Sequence, residues 1–149
     1  MVSLYLARSA DRARLRGEVA INLVRVGVNA EFPDCVVISV TNVGRRKVVI
    51  NRLAWRTGWL RPEHAVLVTE GLALSAPMPA PIDDGETARW VIQTKEKWFE
   101  ELAQLLLPRW RYRLFTFGLT ARTSLGEEIR IRPHASFRAR LKATCQRLS

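Results

Sequence analysis

Two histidines, His64 and His134, are the first places to look for chemistry, because a Ser or Cys nucleophile needs a positioned base and imidazole usually supplies it. His64 follows Arg61–Pro62–Glu63 in a segment that reads as a loop, and His134 opens or caps a helix. Neither sits in a nucleophile motif. Paired carboxylates can drive hydrolysis, but Asp83 and Asp84 are adjacent, so a strand would point them apart and a turn would set them on backbone N–H groups. Glu127 and Glu128 beside Gly126 have the same geometry problem. Cys35 and Cys145, with two distant histidines, make no zinc pattern. Both cysteines read as buried small hydrophobes, with a disulfide between them as the open alternative. The chain has no HExxH, calcium loop, CxxC or GxxxxGK[ST], and its eight glycines never cluster as a phosphate cradle. The expectation is a non-enzymatic protein with no cofactor, no metal and no small-molecule substrate.

What the chain does carry is positive charge. Its formal net charge is +10, and the excess is uneven. Residues 109–149 hold ten Arg or Lys against two Glu, whereas 65–88 hold four acidic residues and no basic one. Such a distribution attracts anionic partners. Arg109, Arg111, Arg113, Arg130, Arg132, Arg138, Arg140, Lys142 and Arg147 are therefore the candidate polyanion-binding residues. If the strand that follows begins early, Arg109, Arg111 and Arg113 project from one sheet face with Trp110 and Tyr112 on the other. That suits phosphate contact more than base stacking.

The elements that must position these residues are mostly strands. Val19 to Leu23 alternates with period two, and Val36, Ile38 and Val40 share one face. Thr41–Asn42–Val43–Gly44–Arg45 reads as a reversal into Lys47–Trp55, making a hairpin with Val49, Leu53 and Trp55 on one side and Val48 and Ile50 on the other. Ala65–Thr69 is a short strand. Ser75–Pro81 holds prolines at alternate positions, which excludes a central strand; Pro77, Met78, Pro79 and Pro81 are its candidate protein-interaction residues. Trp90 and Ile92 share a face of the strand Ala88–Gln93. Thr94 reads as the N-cap of an amphipathic helix carrying Trp98, Phe99, Leu102, Leu105 and Leu106, which Pro108 stops. Tyr112–Arg122 reads as one long strand with Arg113, Phe115, Phe117, Leu119 and Ala121 inward. Ser124–Leu125–Gly126 turns it into Glu128–Arg132. His134–Leu148 closes the chain as a basic helix with Phe137, Leu141, Cys145 and Leu148 in one stripe.

At 149 residues, 48% of them hydrophobic, the chain fits a single domain, 1–149, with a core over about 15–132 and the basic helix over about 134–148. About seven short strands with one inserted helix favour an antiparallel sandwich. The run Val40–Ile50, with its Asn-x-Gly turn, resembles the strand–turn–strand of immunoglobulin-like β-sandwich modules of uncharacterised bacterial and phage proteins. The acidic-glycine turn within Pro81–Ala88 and the closing hairpin Phe117–Gly126 resemble the same modules. The resemblance runs from about Leu15 to Ile131 and implies a fold and an accessory or adhesive role, with no active-site residues. The Pro-rich segment, the internal helix and the terminal helix depart from that pattern.

The function expected is accordingly a structural or protein-interaction module, part of a phage or bacterial multi-protein assembly, with a protein partner or self-assembly first. Sequence-independent nucleic-acid binding through the Arg-rich face is the alternative. The stripe on the terminal helix is too modest to make a membrane surface an expected partner. Val2–Ala7 lacks the basic lead and length of a signal peptide, and no window reaches the roughly 18 apolar residues of a membrane span. The expected location is the cytoplasm or a virion.

Overall fold

Val19, Ile38 and Trp90 lie side by side across three strands, and each is fully buried. They mark the centre of the first of two antiparallel sheets. The computed structural model describes residues 13–23, 34–60, 62–66, 75–94 and 97–149. The apolar stretch at 2–7 and the expected strand residues 67–69 lie outside them. In chain order the elements are β1 (Leu15–Leu23), β2 (Asp34–Asn42), β3 (Val48–Thr57), β4 (Glu63–Val66), β5 (Ala80–Ile82), β6 (Thr87–Gln93), α1 (Trp98–Gln104), α2 (Trp110–Thr116), β7 (Gly118–Thr123), β8 (Glu128–Ile131) and α3 (Ala135–Leu148). The first sheet has the order β1-β2-β6 and the second β4-β3-β7-β8. β5 pairs with β3 beside Val48–Ile50, on the edge that β4 occupies further along. Residues of both sheets and all three helices meet in one hydrophobic core.

The expected hairpin of β2 with β3 does not form. β2 pairs with β1 and β6, β3 pairs with β4, β5 and β7, and the Asn42–Lys47 link crosses from one sheet to the other. Gly44 is not among the glycines with positive φ, so the Asn-x-Gly sequence makes no hairpin reversal. Asn42 explains the alternative. It is fully buried, its Oδ1 accepts from the Gly44 amide at 3.0 Å, and its Nδ2 donates to the carbonyls of Arg46 at 2.7 Å and Ile82 at 3.0 Å. A carboxamide so placed ties the end of the first sheet to β5 of the second, and losing its bond to Ile82 would leave a buried polar group unsatisfied.

Within β3 the register shifts between Ile50 and Arg52. This bulge inserts one residue and resets the alternation. Val48, Ile50, Leu53 and Trp55 are consequently all buried, while Val49 is only half-buried, which corrects the expected division of the strand's faces. Pro81 sits in the three-residue edge strand β5, where its missing N–H is tolerated.

The helices close one end of the core. α1 starts at Trp98 rather than near Thr94, and its N-cap, Lys97, makes no side-chain cap. Thr94 instead donates both its amide and its hydroxyl to the Asp34 carbonyl, at 3.2 and 2.6 Å, extending the sheet contact. Phe99, Leu102 and Leu106 are buried, whereas Leu105 turns outward. α3 forms with Phe137, Leu141 and Cys145 of its expected stripe buried and Leu148 exposed at its last turn, and His134 Nδ1 accepts from the Ser136 amide at the N-cap. Phe137 stacks on Trp55 at 5.6 Å and on Phe117 at 6.2 Å, with Trp98 edge-on to both Trp55 and Phe137. Full burial of a side chain like Phe137 contributes about 2–3 kcal/mol, and each aromatic pair adds about 0.5–1.5 kcal/mol. Cys35 and Cys145 are both buried and form no disulfide with each other.

The largest departure is at 110–116. The expected long strand is a helix up to Thr116, and the strand begins only at Gly118. Phe117, Leu119 and Ala121 do point into the core, but Phe115 is 77% exposed.

Candidate interaction surface

α2 is short, and contacts from distant elements hold it. Leu114 is buried and Trp110 packs against the core. Its last turn leaves carbonyls without helical partners, and side chains fill the need. Thr57 Oγ1 donates to the Arg113 carbonyl at 3.1 Å, Arg138 to that of Leu114 at 3.4 Å, and Arg130 to that of Thr116 at 3.4 Å. The Gly58 amide donates to Thr116 Oγ1 at 2.9 Å. Arg113 reaches back to the Leu105 carbonyl at 2.8 Å. With Leu114 inward, Arg111, Tyr112 and Phe115 are left facing solvent.

Two grooves flank the helix. One, of about 290 Å³, runs between α2 and the turn after β3 and is lined by Trp59, Leu60, Glu63, Arg109 and Tyr112 among others. Trp59 and Leu60 are 73% and 92% exposed, just beyond Gly58, whose φ is +88°. The other, of about 450 Å³, separates α2 from α3 and is lined by Trp110, Arg111, Leu114, Phe115, Arg138, Lys142 and Gln146. The last three recur every four residues along one face of α3, about 100° round the helix from its buried stripe. The Arg111 guanidinium lies 5.6 Å from the Trp110 ring centroid.

The nine basic candidates separate into distinct groups. Arg113 pairs with Glu63 at 3.1 Å, Arg140 with Asp34 at 2.5 Å and Arg147 with Glu100 at 2.6 Å. Arg140 also lies over the Phe99 ring at 4.8 Å. Arg130 and Arg138 bind the carbonyls of α2. Burial, and then the neighbouring Arg132 guanidinium, push Arg138 below the ordinary guanidinium range. Arg109, Arg111, Arg132 and Lys142 are exposed, with no carboxylate partner among the described residues. The expected array of Arg109, Arg111 and Arg113 on one sheet face is overturned, because these residues start a helix. The structure brings Arg111, Arg138 and Lys142 together instead.

Pro77, Pro79 and Pro81 are exposed, while Met78 packs against the core. They lie towards β5, beside the Val48–Ile50 end of β3, away from the turn at Thr57–Leu60 that meets α2. The structure does not join them to the basic residues.

The carboxylates singled out for chemistry serve the turns. Asp83 and Glu86 close the Gly85 turn through an amide–carboxylate bond at 3.0 Å and an amide–carbonyl bond at 3.1 Å, and Lys47 lies 3.4 Å from Asp83. Glu127 pairs with Arg46 at 3.1 Å. Trp59, Leu60 and Phe115 escaped the sequence reading. The available signal was two bulky apolar residues in the turn-prone segment between Gly58 and Pro62. Phe115 was hidden by its place in an alternating pattern. No family model, curated protein or solved structure matches this chain. No helix among the described residues is long and apolar enough to cross a membrane.

Proposed function

We propose that the chain is a non-enzymatic interaction module, built on an immunoglobulin-like sandwich, that docks a protein partner through its helical end. The strand order supports the fold half of this reading. In this reading β1, β2 and β6 correspond to strands A, B and E, and β3, β7 and β8 to C, F and G, with the B-to-C link crossing between sheets. α1 and α2 are then an insertion between E and F, and α3 an addition after G.

One observation carries the functional half. Trp59, Leu60, Tyr112 and Phe115 are 73%, 92%, 49% and 77% exposed, and all four belong to α2 or the turn beside it. Isolated exposed apolar residues are ordinary, but large ones gathered on one ridge favour an interface, and Trp and Tyr are the side chains that anchor interfaces. A photo-crosslinking amino acid placed at 59 or 112 tests the reading in cells of the source organism. A discrete protein adduct is expected from both positions and none from exposed Asp84 in the remote Gly85 turn. Absence of adducts from 59 and 112 overturns it.

A second reading, sequence-independent nucleic-acid binding, is favoured by the cations of the α2–α3 groove beside exposed Phe115. Cations with an aromatic platform are what single-stranded binding uses.

A further inference from the structure

We propose that the groove between α2 and α3 receives an acidic amphipathic segment of a partner polypeptide, seating a bulky apolar side chain on Phe115 and Trp110 and carboxylates on Arg111 and Lys142. This occupant rests on the protein-docking reading above. Charge complementarity is the first argument. Three cations line a groove of about 450 Å³, and no carboxylate among the described residues lines it. Arg132 adds to the field: after burial, its charge is the second influence that lowers the Arg138 pKa. An entering anion relieves that repulsion. Neighbouring cations of α3, by contrast, already hold Asp34 and Glu100.

The surroundings decide the class of occupant. Arg138 and Lys142 are about 6 Å apart along the axis of α3, so the cationic stretch is short. Other cations of the neighbouring elements are taken up in ion pairs, Arg140 with Asp34 and Arg147 with Glu100 on another side of α3, and Arg113 with Glu63. A nucleic-acid backbone running out of the groove finds those three arginines already neutralised, whereas a short segment ends inside it. Phe115 and the Trp110–Leu114 floor supply apolar contact that phosphates cannot use. Helices bind such grooves through one apolar face with charges at its margins.

The probe is a fluorescein-labelled helical peptide of about 16 residues with Leu and Phe on one face and Glu on the other, titrated by anisotropy at about 50 and 200 mM salt. Controls replace its Glu by Lys, or its Leu and Phe by Ala, and an oligo-dT strand replaces the peptide. Saturable binding is expected, weakened about tenfold or more in both control peptides, by Phe115→Ala, and by Arg111→Gln with Lys142→Gln. These side chains are exposed, so circular dichroism and thermal unfolding should show the variants folded. Arg138 is spared because it also holds the Leu114 carbonyl. No binding, equal binding of the Ala-substituted peptide, insensitivity to the substitutions, or tighter binding of oligo-dT each overturns the proposal. If the peptide fails while adducts still form at 59 and 112, the groove's occupant is wrong and the docking module stands. If adducts fail as well, both fall.

Discussion

The side chain of Ile131 on β8 fills the space that a Cβ on Gly17 of β1 would need, with three of its carbons inside contact distance. The two strands belong to different sheets, so this glycine lets their edges approach. We expect Gly17→Ala to cost about 1–3 kcal/mol, the usual range for overpacking. Ile131→Ala removes the obstructing carbons, so the double variant should be more stable than the sum of the two single effects by about 1 kcal/mol or more. Urea unfolding of the four proteins measures the coupling, and strict additivity contradicts the contact.

Asn42 is the other joint between the sheets. Asn42→Ala removes the donor to the Ile82 carbonyl from a buried bond, at about 1–3 kcal/mol, and also deletes the part-buried bond to the Arg46 carbonyl. Asn42→Asp preserves shape and the acceptor for Gly44 but cannot donate, and it buries a charge. It should therefore be at least as destabilising as Ala. Chemical denaturation of both variants checks the order; a near-neutral Asp variant would show that the donor bonds contribute little.

These two sites show how far the sequence could be read. Val36–Val40, Trp90–Ile92 and Phe137–Cys145 were legible because burial on one side writes its period directly into the chain. The partner of each strand was not, because Asn42 acts on Ile82, forty positions away. Tyr112–Phe117 alternates like a strand, yet Thr57 and Arg138 satisfy the carbonyls of a helix there. The bulge after Ile50 likewise shifted the faces of β3 without a local mark. In the candidate surface, the basic excess was plain from composition. Which arginines stay free was not, since Arg113–Glu63, Arg140–Asp34 and Arg147–Glu100 span 50, 106 and 47 positions.

Burial pushes the Cys145 thiol above the ordinary thiol range, against a smaller opposing effect of a backbone hydrogen bond. The folded state therefore holds this proton more tightly than the unfolded one. The stabilisation linked to it is complete below the unfolded thiol's pKa and is lost as pH rises through the folded value. We expect the urea midpoint to fall between about pH 8 and 10 by more in the wild type than in Cys145→Ala. Cys35 is present in both proteins and cancels in the comparison. Equal alkaline slopes would mean that the thiol is as free to ionise in the folded chain as in the unfolded one.

The revised charge map also changes what polyanion binding should look like. Nine free cations would give a very steep salt dependence. Three of the nine are held by carboxylates and two by carbonyls of α2, leaving Arg109, Arg111, Arg132 and Lys142 to contact phosphate. Each phosphate neutralised on duplex DNA contributes a slope of about −0.9 to log K against log salt, so about four contacts predict a slope between −3 and −4. Affinity for an unrelated 20-base-pair duplex should then fall roughly a hundredfold between about 50 and 200 mM salt, against nearly 10⁵-fold for nine contacts. Arg111→Gln with Lys142→Gln should flatten the slope by about two. Fluorescence anisotropy on folded protein reads both quantities. Absence of binding at the lower salt would mean that the four cations form no common footprint, and a slope near −6 would mean that the ion pairs with Glu63, Asp34 and Glu100 open when DNA arrives.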